Sequence, residues 1–333
     1  MAEYNLNAAF TIPERAKGSS DGKTMLPIID VLNYAMDDFF MDAPAKEASD
    51  GLYHRFRRLT SVPSGTARAF YQGVAATRVT TQPVLEPVGL MESRSEVDTD
   101  EIDTLVNGTE ERRARDMGNL KGLGKSILGQ FVSGSKGAGD QIDGIETRLS
   151  STVSSTALNV KSAGGSTALT SILVVEWDLN EGCFLAYPPG FAKGSTYGIQ
   201  VVNRGQEKCF DGSSNPYYSY VTQFKAWYAF CCANELKVGR VANVESSITS
   251  TYGFAAAIEP LIQILEECKF NYQNTRIYVN ETIGAQITNE ARQVSNHLWG
   301  TEEIFGRKVR TFQGIPIRVI DRTILTNAES AIT

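Results

Sequence analysis

Two histidines, His54 and His297, are all that this chain of 333 residues contains, and their scarcity removes whole classes of chemistry. Serine hydrolases need an imidazole beside the nucleophile, and many metal centres draw on several histidines. Five cysteines, Cys183, Cys209, Cys231, Cys232 and Cys268, are odd in number and too irregularly spaced for a disulfide framework or a zinc site. Cys231 and Cys232 are neighbours that rarely bridge each other, so free, mostly buried thiols are expected. No apolar run approaches the roughly 20 residues that cross a bilayer. Met1-Ala-Glu-Tyr-Asn-Leu-Asn also lacks the basic-then-apolar order of a secretory signal, so the reading is a chain that folds in a cytoplasm with no membrane partner. Nor is there a strong net charge. The 32 Lys and Arg against 38 Asp and Glu leave −6, which argues against a surface devoted to nucleic acid.

What the chain does have is 42% hydrophobic residues, enough for cores in about two domains, and one sharply divided charge pattern. From Gly51 to Leu85 it carries Arg55, Arg57, Arg58, Arg68 and Arg78 and no acid at all. Glu92, Glu96, Asp98, Asp100, Glu101 and Asp103 follow, with only Arg94 among them. The basic half also holds Pro63-Ser64-Gly65, Gly73, Pro83 and Pro87 among Thr and Val, which predicts an extended two-stranded arm rather than a helix. A chain with a basic arm beside an acidic surface offers both halves of a head-to-tail contact between copies of itself. These eleven residues are therefore the candidate inter-subunit contacts.

Periodicity supplies the organisation. Residues 1–24 are polar and read as an N-terminal arm, and Ile29, Leu32, Ala35, Met36 and Phe39 share one face of a short helix within 25–50. After the extension at 51–95, Thr109 is a candidate N-cap for a long helix over 109–132, carried by Met117, Leu120, Leu123, Ile127, Leu128 and Phe131. Its glycines Gly118, Gly122, Gly124 and Gly129 are expected to mark close approach of another backbone or a bend. Ser171–Trp177 reads as a buried strand with Cys183–Tyr187 as its antiparallel partner, and Tyr217–Ala233 as an aromatic strand or strand pair ending in Val238–Val244. A helix opening at Pro260, a strand at Thr275–Val279, a helix capped by Asn280 and a hairpin across Gln313-Gly314 complete the pattern.

Three motifs imitate chemistry and fail on context. Gly124-Lys125-Ser126 ends like a phosphate loop, but Asn119 stands where the first glycine is required and no apolar strand precedes it. Gly18-Ser19-Ser20-Asp21-Gly22 matches a nucleophile elbow without its strand or its histidine. The tyrosines and phenylalanines from Tyr217 to Phe230 could stack bases, yet only Lys225 lies among them, so core packing is the better reading. No cofactor, no metal and no catalytic residue are expected.

Assembled in order, the chain resembles the major capsid proteins of tailed bacteriophages with the Hong Kong 97-like fold. Leu59-Thr-Ser-Val-Pro-Ser-Gly-Thr-Ala-Arg68 with Gln72-Gly-Val74 looks like the family's extension loop. Glu110 to Val132 looks like its spine helix, and Phe312-Gln-Gly-Ile-Pro-Ile-Arg-Val-Ile-Asp321 like its closing strands. The resemblance implies an α+β fold with N-terminal arm, extended β-hairpin loop, long spine helix, peripheral domain (96–165 and 248–333) and inserted axial domain (166–247). It further implies a subunit, not an enzyme, that forms the hexamers and pentamers of an icosahedral virion shell enclosing double-stranded DNA, assembled in the host cytoplasm with a portal protein. Only about 25 polar residues precede the first helix, so a separate scaffolding protein is expected. An encapsulin-type compartment is the related alternative, and an enzyme or nucleic-acid-binding protein with an unrecognised site is the alternative of another class.

Overall fold

A computed structural model describes residues 37–61, 63–138, 142–151, 158–190, 198–247, 250–293, 299–304 and 307–332. The segment read as a polar N-terminal arm, most of the expected first helix and the Gly18–Gly22 motif lie outside these residues. In chain order the strands are β1 (Ala45–Glu47), β2 (Tyr53–Ser61), β3 (Thr80–Pro87), β4 (Gly89–Asp98), β5 (Val160–Ser162), β6 (Leu169–Glu176) and β7 (Cys183–Tyr187). They continue with β8 (Ile199–Phe210), β9 (Pro216–Cys232), β10 (Val238–Glu245), β11 (Thr275–Asn280), β12 (Trp299–Ile304), β13 (Arg307–Phe312) and β14 (Ile315–Ile320). The helices are α1 (Asp37–Asp42), α2 (Thr99–Asp103), α3 (Gly108–Ser133), α4 (Ile145–Arg148), α5 (Phe254–Glu267) and α6 (Glu281–Gln293). The described residues divide into two compact units: Leu90–Ile127 with Gly198–Ala226, and the remainder. The segment 166–247 contributes to both.

The larger unit is organised by β6, whose eight residues are all buried, so that apolar side chains point to both faces of a seven-stranded sheet ordered β12-β13-β14-β11-β6-β10-β5. On one face Ile172, Val174, Val241 and Ile277 pack against Phe254, Ala257, Leu261, Ile264 and Leu265 of α5 and Ile283 and Ile287 of α6. Helix α5 lies so close to β10 that a Cβ at Gly239 would sit 2.6 Å from Ile264 Cγ2. On the other face Phe39 of α1 meets Trp177 and Tyr278 at ring separations of 5.3 and 5.2 Å. There Trp177 Nε1 donates to the Tyr278 hydroxyl at 2.8 Å, so the buried polar edges satisfy each other. Asp42, at the end of α1, accepts from Arg276 (3.2 Å) and Arg318 (2.9 Å) and pins that helix down.

Several expectations need correction here. Strand β7 does not pair along β6: an isolated bridge joins Cys183 to Trp177, the residue after β6, while β7 pairs with β1 and with the end of β9. The turn between them is a corner from one sheet to another, drawn tight by the Asp178 carboxylate, which accepts the Asn180 and Glu181 N–H groups. Helix α5 begins after Gly253 and carries Pro260 in its interior. The buried stripe from Phe254 to Leu265 spans the proline, and burying five such residues outweighs its cost of about 3 kcal/mol. Helix α3 starts one residue before Thr109, and a Cβ at Gly118, Gly122 or Gly129 would meet nothing within 4 Å. These three glycines therefore mark no close approach among the described residues. By contrast Asn280 does cap α6, accepting the Ile283 N–H at 2.9 Å, and Gln313-Gly314 (φ 50° and 80°) turns the final hairpin.

The segment after β14 is strapped across the sheet by Arg240, which is 4% exposed. Arg240 donates to Ser171 Oγ (2.8 Å), to the Glu146 and Leu149 carbonyls (3.0 Å each) and to Glu329 Oε2 (2.8 Å). One buried oxygen of Glu146 and one of Glu329 find no partner among the described residues. Burial first, and then the Glu329 carboxylate, push the Glu146 carboxyl up to about 8 from 4.5, against the pull of Arg240. A folded value above the unfolded one gives stability that is complete below pH 4.5 and lost as pH rises through about 8. Wild-type protein should therefore lose stability progressively across that window relative to Glu146→Gln. Thermal melts at stepped pH check this, and parallel curves for the two proteins would refute the protonated carboxyl.

Candidate functional site: the basic arm and the acidic segment

In the larger unit, among the described residues, β2 and β3 pair only with each other, in register from Tyr53↔Pro87 to Leu59↔Thr81, with a shift before Ser61↔Thr80. An isolated two-stranded ribbon has little stability of its own in water. Beyond it, residues 64–79 form no helix or strand and are exposed throughout, with Phe70 95% exposed and Tyr71, at φ 66°, fully so. Large aromatic side chains left in water at the end of an arm are an unsatisfied contact.

The base of the arm, in contrast, is fastened. Buried His54 receives the Ser49 N–H on Nδ1 at 3.2 Å and meets the Phe184 ring edge-on, and burial first, then Lys46, holds its pKa below the usual value, so it is neutral at pH 7. Glu86 of β3 is clasped by both terminal nitrogens of Arg148 at 2.7 Å each, with Arg148 Nε on the Asp143 carbonyl at 2.9 Å. Arg58 donates to the Cys232 (3.0 Å) and Ala233 (3.1 Å) carbonyls and pairs with Glu235. Arg55 makes only an exposed contact with Asp50 at 3.4 Å. Arg57, Arg68 and Arg78 are exposed and have no partner among the described residues.

In the smaller unit β4 lies along β9, β9 also pairs with β8, and the acidic residues project from β4 and α2. Most are engaged there. Glu101 receives both terminal nitrogens of Arg115 at 2.6 and 2.9 Å, while Arg115 Nε reaches Glu111 at 2.9 Å. Glu96 pairs with Arg94 at 2.6 Å and accepts from the Tyr217 hydroxyl at 3.3 Å, and Glu92 accepts from Gln223 and pairs with Lys225 at 3.7 Å. Asp98 caps α2 by accepting the Asp100 N–H at 2.9 Å, and Asp103 accepts from Tyr220 at 3.4 Å. The Asp100 and Glu110 carboxylates are exposed and without a partner among the described residues.

Each group of charges is thus part structural fastener and part unspent charge. Sequence spacing could not find Arg115, Arg148 or Glu86, because Glu86 and Arg148 stand 62 positions apart and only the fold joins them. The aromatic stretch divides likewise: Phe224, Tyr228 and Phe230 are buried while Tyr218 is exposed. Gly124-Lys125-Ser126 lies inside α3, where its N–H groups serve the helix ladder and cannot cradle phosphate. Among the described residues no cluster of His, Cys, Asp or Glu is placed to hold a metal ion, and no helix is long and apolar enough to cross a membrane.

The family model for major capsid protein GP7 matches residues 19–333. Among solved structures, that of bacteriophage Epsilon15 is similar over 100% of both chains, with 22% identity and a TM-score of 0.67. A chain of the decorated capsid of bacteriophage JBD30 shows 10% identity and a TM-score of 0.49, covering 96% of this chain and 100% of that one. An encapsulin complex from Synechococcus elongatus gives 9% identity and a TM-score of 0.47 over 71% of this chain and 96% of its own. No curated protein matches. The Epsilon15 likeness shows the mixed α+β, Hong Kong 97-like capsid fold.

Proposed function

The chain belongs to the major capsid protein GP7 family, so it is a structural subunit of a phage shell, and on that premise we propose how it builds one. Hexamers and pentamers of this subunit close an icosahedral head around double-stranded DNA. Assembly proceeds in the host cytoplasm with a separate scaffolding protein and a portal protein. The observation that carries this reading is the arm: a two-stranded ribbon anchored at its base by Glu86 and Arg148, with exposed aromatic and arginine side chains beyond. Such an arm gains stability only where a neighbour supplies its missing contacts.

Of the candidate contacts, Arg57, Arg68 and Arg78 have charge to offer, and Asp100 of an adjacent subunit has charge to receive it. Arg55, Arg58, Glu92, Glu96, Asp98, Glu101 and Asp103 set the geometry at the two ends. The DNA meets the inner surface without sequence readout, in keeping with a net charge of −6. Scaffolding follows from geometry, since identical subunits must adopt five-fold and six-fold surroundings and something must set the curvature.

Expression of the chain alone, followed by electron microscopy, tests this. Capsomers or shells of mixed size are expected, narrowing to one diameter when a scaffolding protein is supplied. Discrete small oligomers that never form capsomers would sink the shell reading. Uniform shells from the chain alone would sink the scaffolding part.

A further inference from the structure

All five cysteines are buried free thiols, but two of them are placed as a pair. Cys183 opens β7 and Cys232 closes β9, and the two are directly opposite in the antiparallel register. The Ala233 N–H donates to the Gly182 carbonyl at 3.1 Å, so the hydrogen bond falls on the residues just outside the pair. Cys183 and Cys232 therefore occupy a non-hydrogen-bonded position, where facing Cα atoms stand roughly 4.5 Å apart, inside the range of roughly 4.4–6.8 Å that a disulfide spans. Their Sγ atoms are 3.3 Å apart. Rotation about the two Cα–Cβ bonds closes the remaining distance without moving the strands.

We propose that Cys183 and Cys232 form a latent cross-strand disulfide, closed by thiol–disulfide exchange with a low-molecular-weight disulfide. The thiolate of Cys232, at the end of its strand, attacks one sulfur of that oxidant and releases the first small thiol. Cys183 then attacks the Cys232 sulfur of the mixed disulfide, and the second small thiol leaves. The two protein thiols lose two electrons and two protons, and the small disulfide takes up both to become two thiols. Burial, followed by the neighbouring Cys232 sulfur, pushes the Cys183 thiol up, so it stays protonated and unreactive while the strands are paired. Closure thus happens as the pairing forms or transiently opens.

The other cysteines do not compete. Cys231 packs among Phe184, Ala186 and Ala229, Cys209 accepts from Ser219 at 2.8 Å in the smaller unit, and Cys268 follows α5. Because the pair is 49 positions apart, the bond would restrict a long stretch of unfolded chain.

The test is to refold the full chain with oxidised glutathione and, separately, with dithiothreitol, alkylate remaining thiols, and map peptides by mass. The expected result is a Cys183–Cys232 linked peptide with the other cysteines alkylated, and a Tm higher by on the order of 5 °C in the oxidised sample. That shift should vanish in Cys183→Ala and in Cys232→Ala. Five alkylated cysteines after oxidative refolding, or a link between any other pair, would overturn the proposal. If an alanine variant does not fold, the wild-type peptide map alone decides between these outcomes.

Discussion

Replacing Arg57, Arg68 and Arg78 together with Glu is expected to leave the subunit folded and to cut the yield of closed shells at least tenfold. All three side chains are exposed and unpaired among the described residues, so their reversal removes nothing from the fold. Each contact with a neighbour's carboxylate is worth only about 0–1 kcal/mol. Repetition around a closed shell turns that small increment into a large one, because every subunit both gives and receives it. Arg58→Glu makes a misleading comparison, since it also strips hydrogen bonds from the Cys232 and Ala233 carbonyls. Sedimentation of assembly reactions and thermal melts of unassembled subunits separate the two effects. Normal shell yield from the triple variant would rule out the electrostatic account of the arm.

Arg148→Ala should be strongly destabilising. It leaves the Glu86 carboxylate, itself 5% exposed, without the two hydrogen bonds and the charge that hold it. Removing one partner of a buried pair costs about 3–5 kcal/mol, which lowers Tm by on the order of 10 °C in a chain of this size. Replacing both partners, Arg148→Met with Glu86→Leu, should recover most of the loss because no charge is left stranded. Calorimetry of the three variants checks the order. A double variant as unstable as Arg148→Ala would show that packing, not charge, holds the arm's base.

Local pattern made much of this fold legible. The prolines and glycines among Thr and Val in 51–87 announced a two-stranded ribbon, the three- and four-residue steps after Thr109 announced the long helix, and Asn280 announced the cap of α6. The misreadings share one cause, the absence of long-range information in a short window. A five-residue turn at 178–182 looks the same whether it joins paired strands or passes from one sheet to another. Pro260 looks like a helix start because propensity argues for it, and only the stripe of Phe254, Ala257 and Leu261 shows that burial overrides it. The charged site was half legible. Spacing found the uneven distribution of charge, but it could not separate Arg58, spent on backbone carbonyls, from Arg57 beside it, which points to water.

The buried central strand β6 also sets a clock. It is complete at Glu176, yet its two partners are β10, reached at Val238, and β11, reached at Thr275, in register Glu176↔Thr275. At a translation rate of roughly 5–20 residues per second, eight residues with both faces apolar wait about 5–20 s before the second neighbour emerges. Pairings so distant in sequence fold slowly in any case. During that interval the nascent chain displays a sticky, unpaired strand beside an arm already long since synthesised, and on crowded polysomes neighbouring chains do the same. The order in which the sheet is written therefore places a period of exposure to aggregation within synthesis itself, before any finished subunit exists to dock.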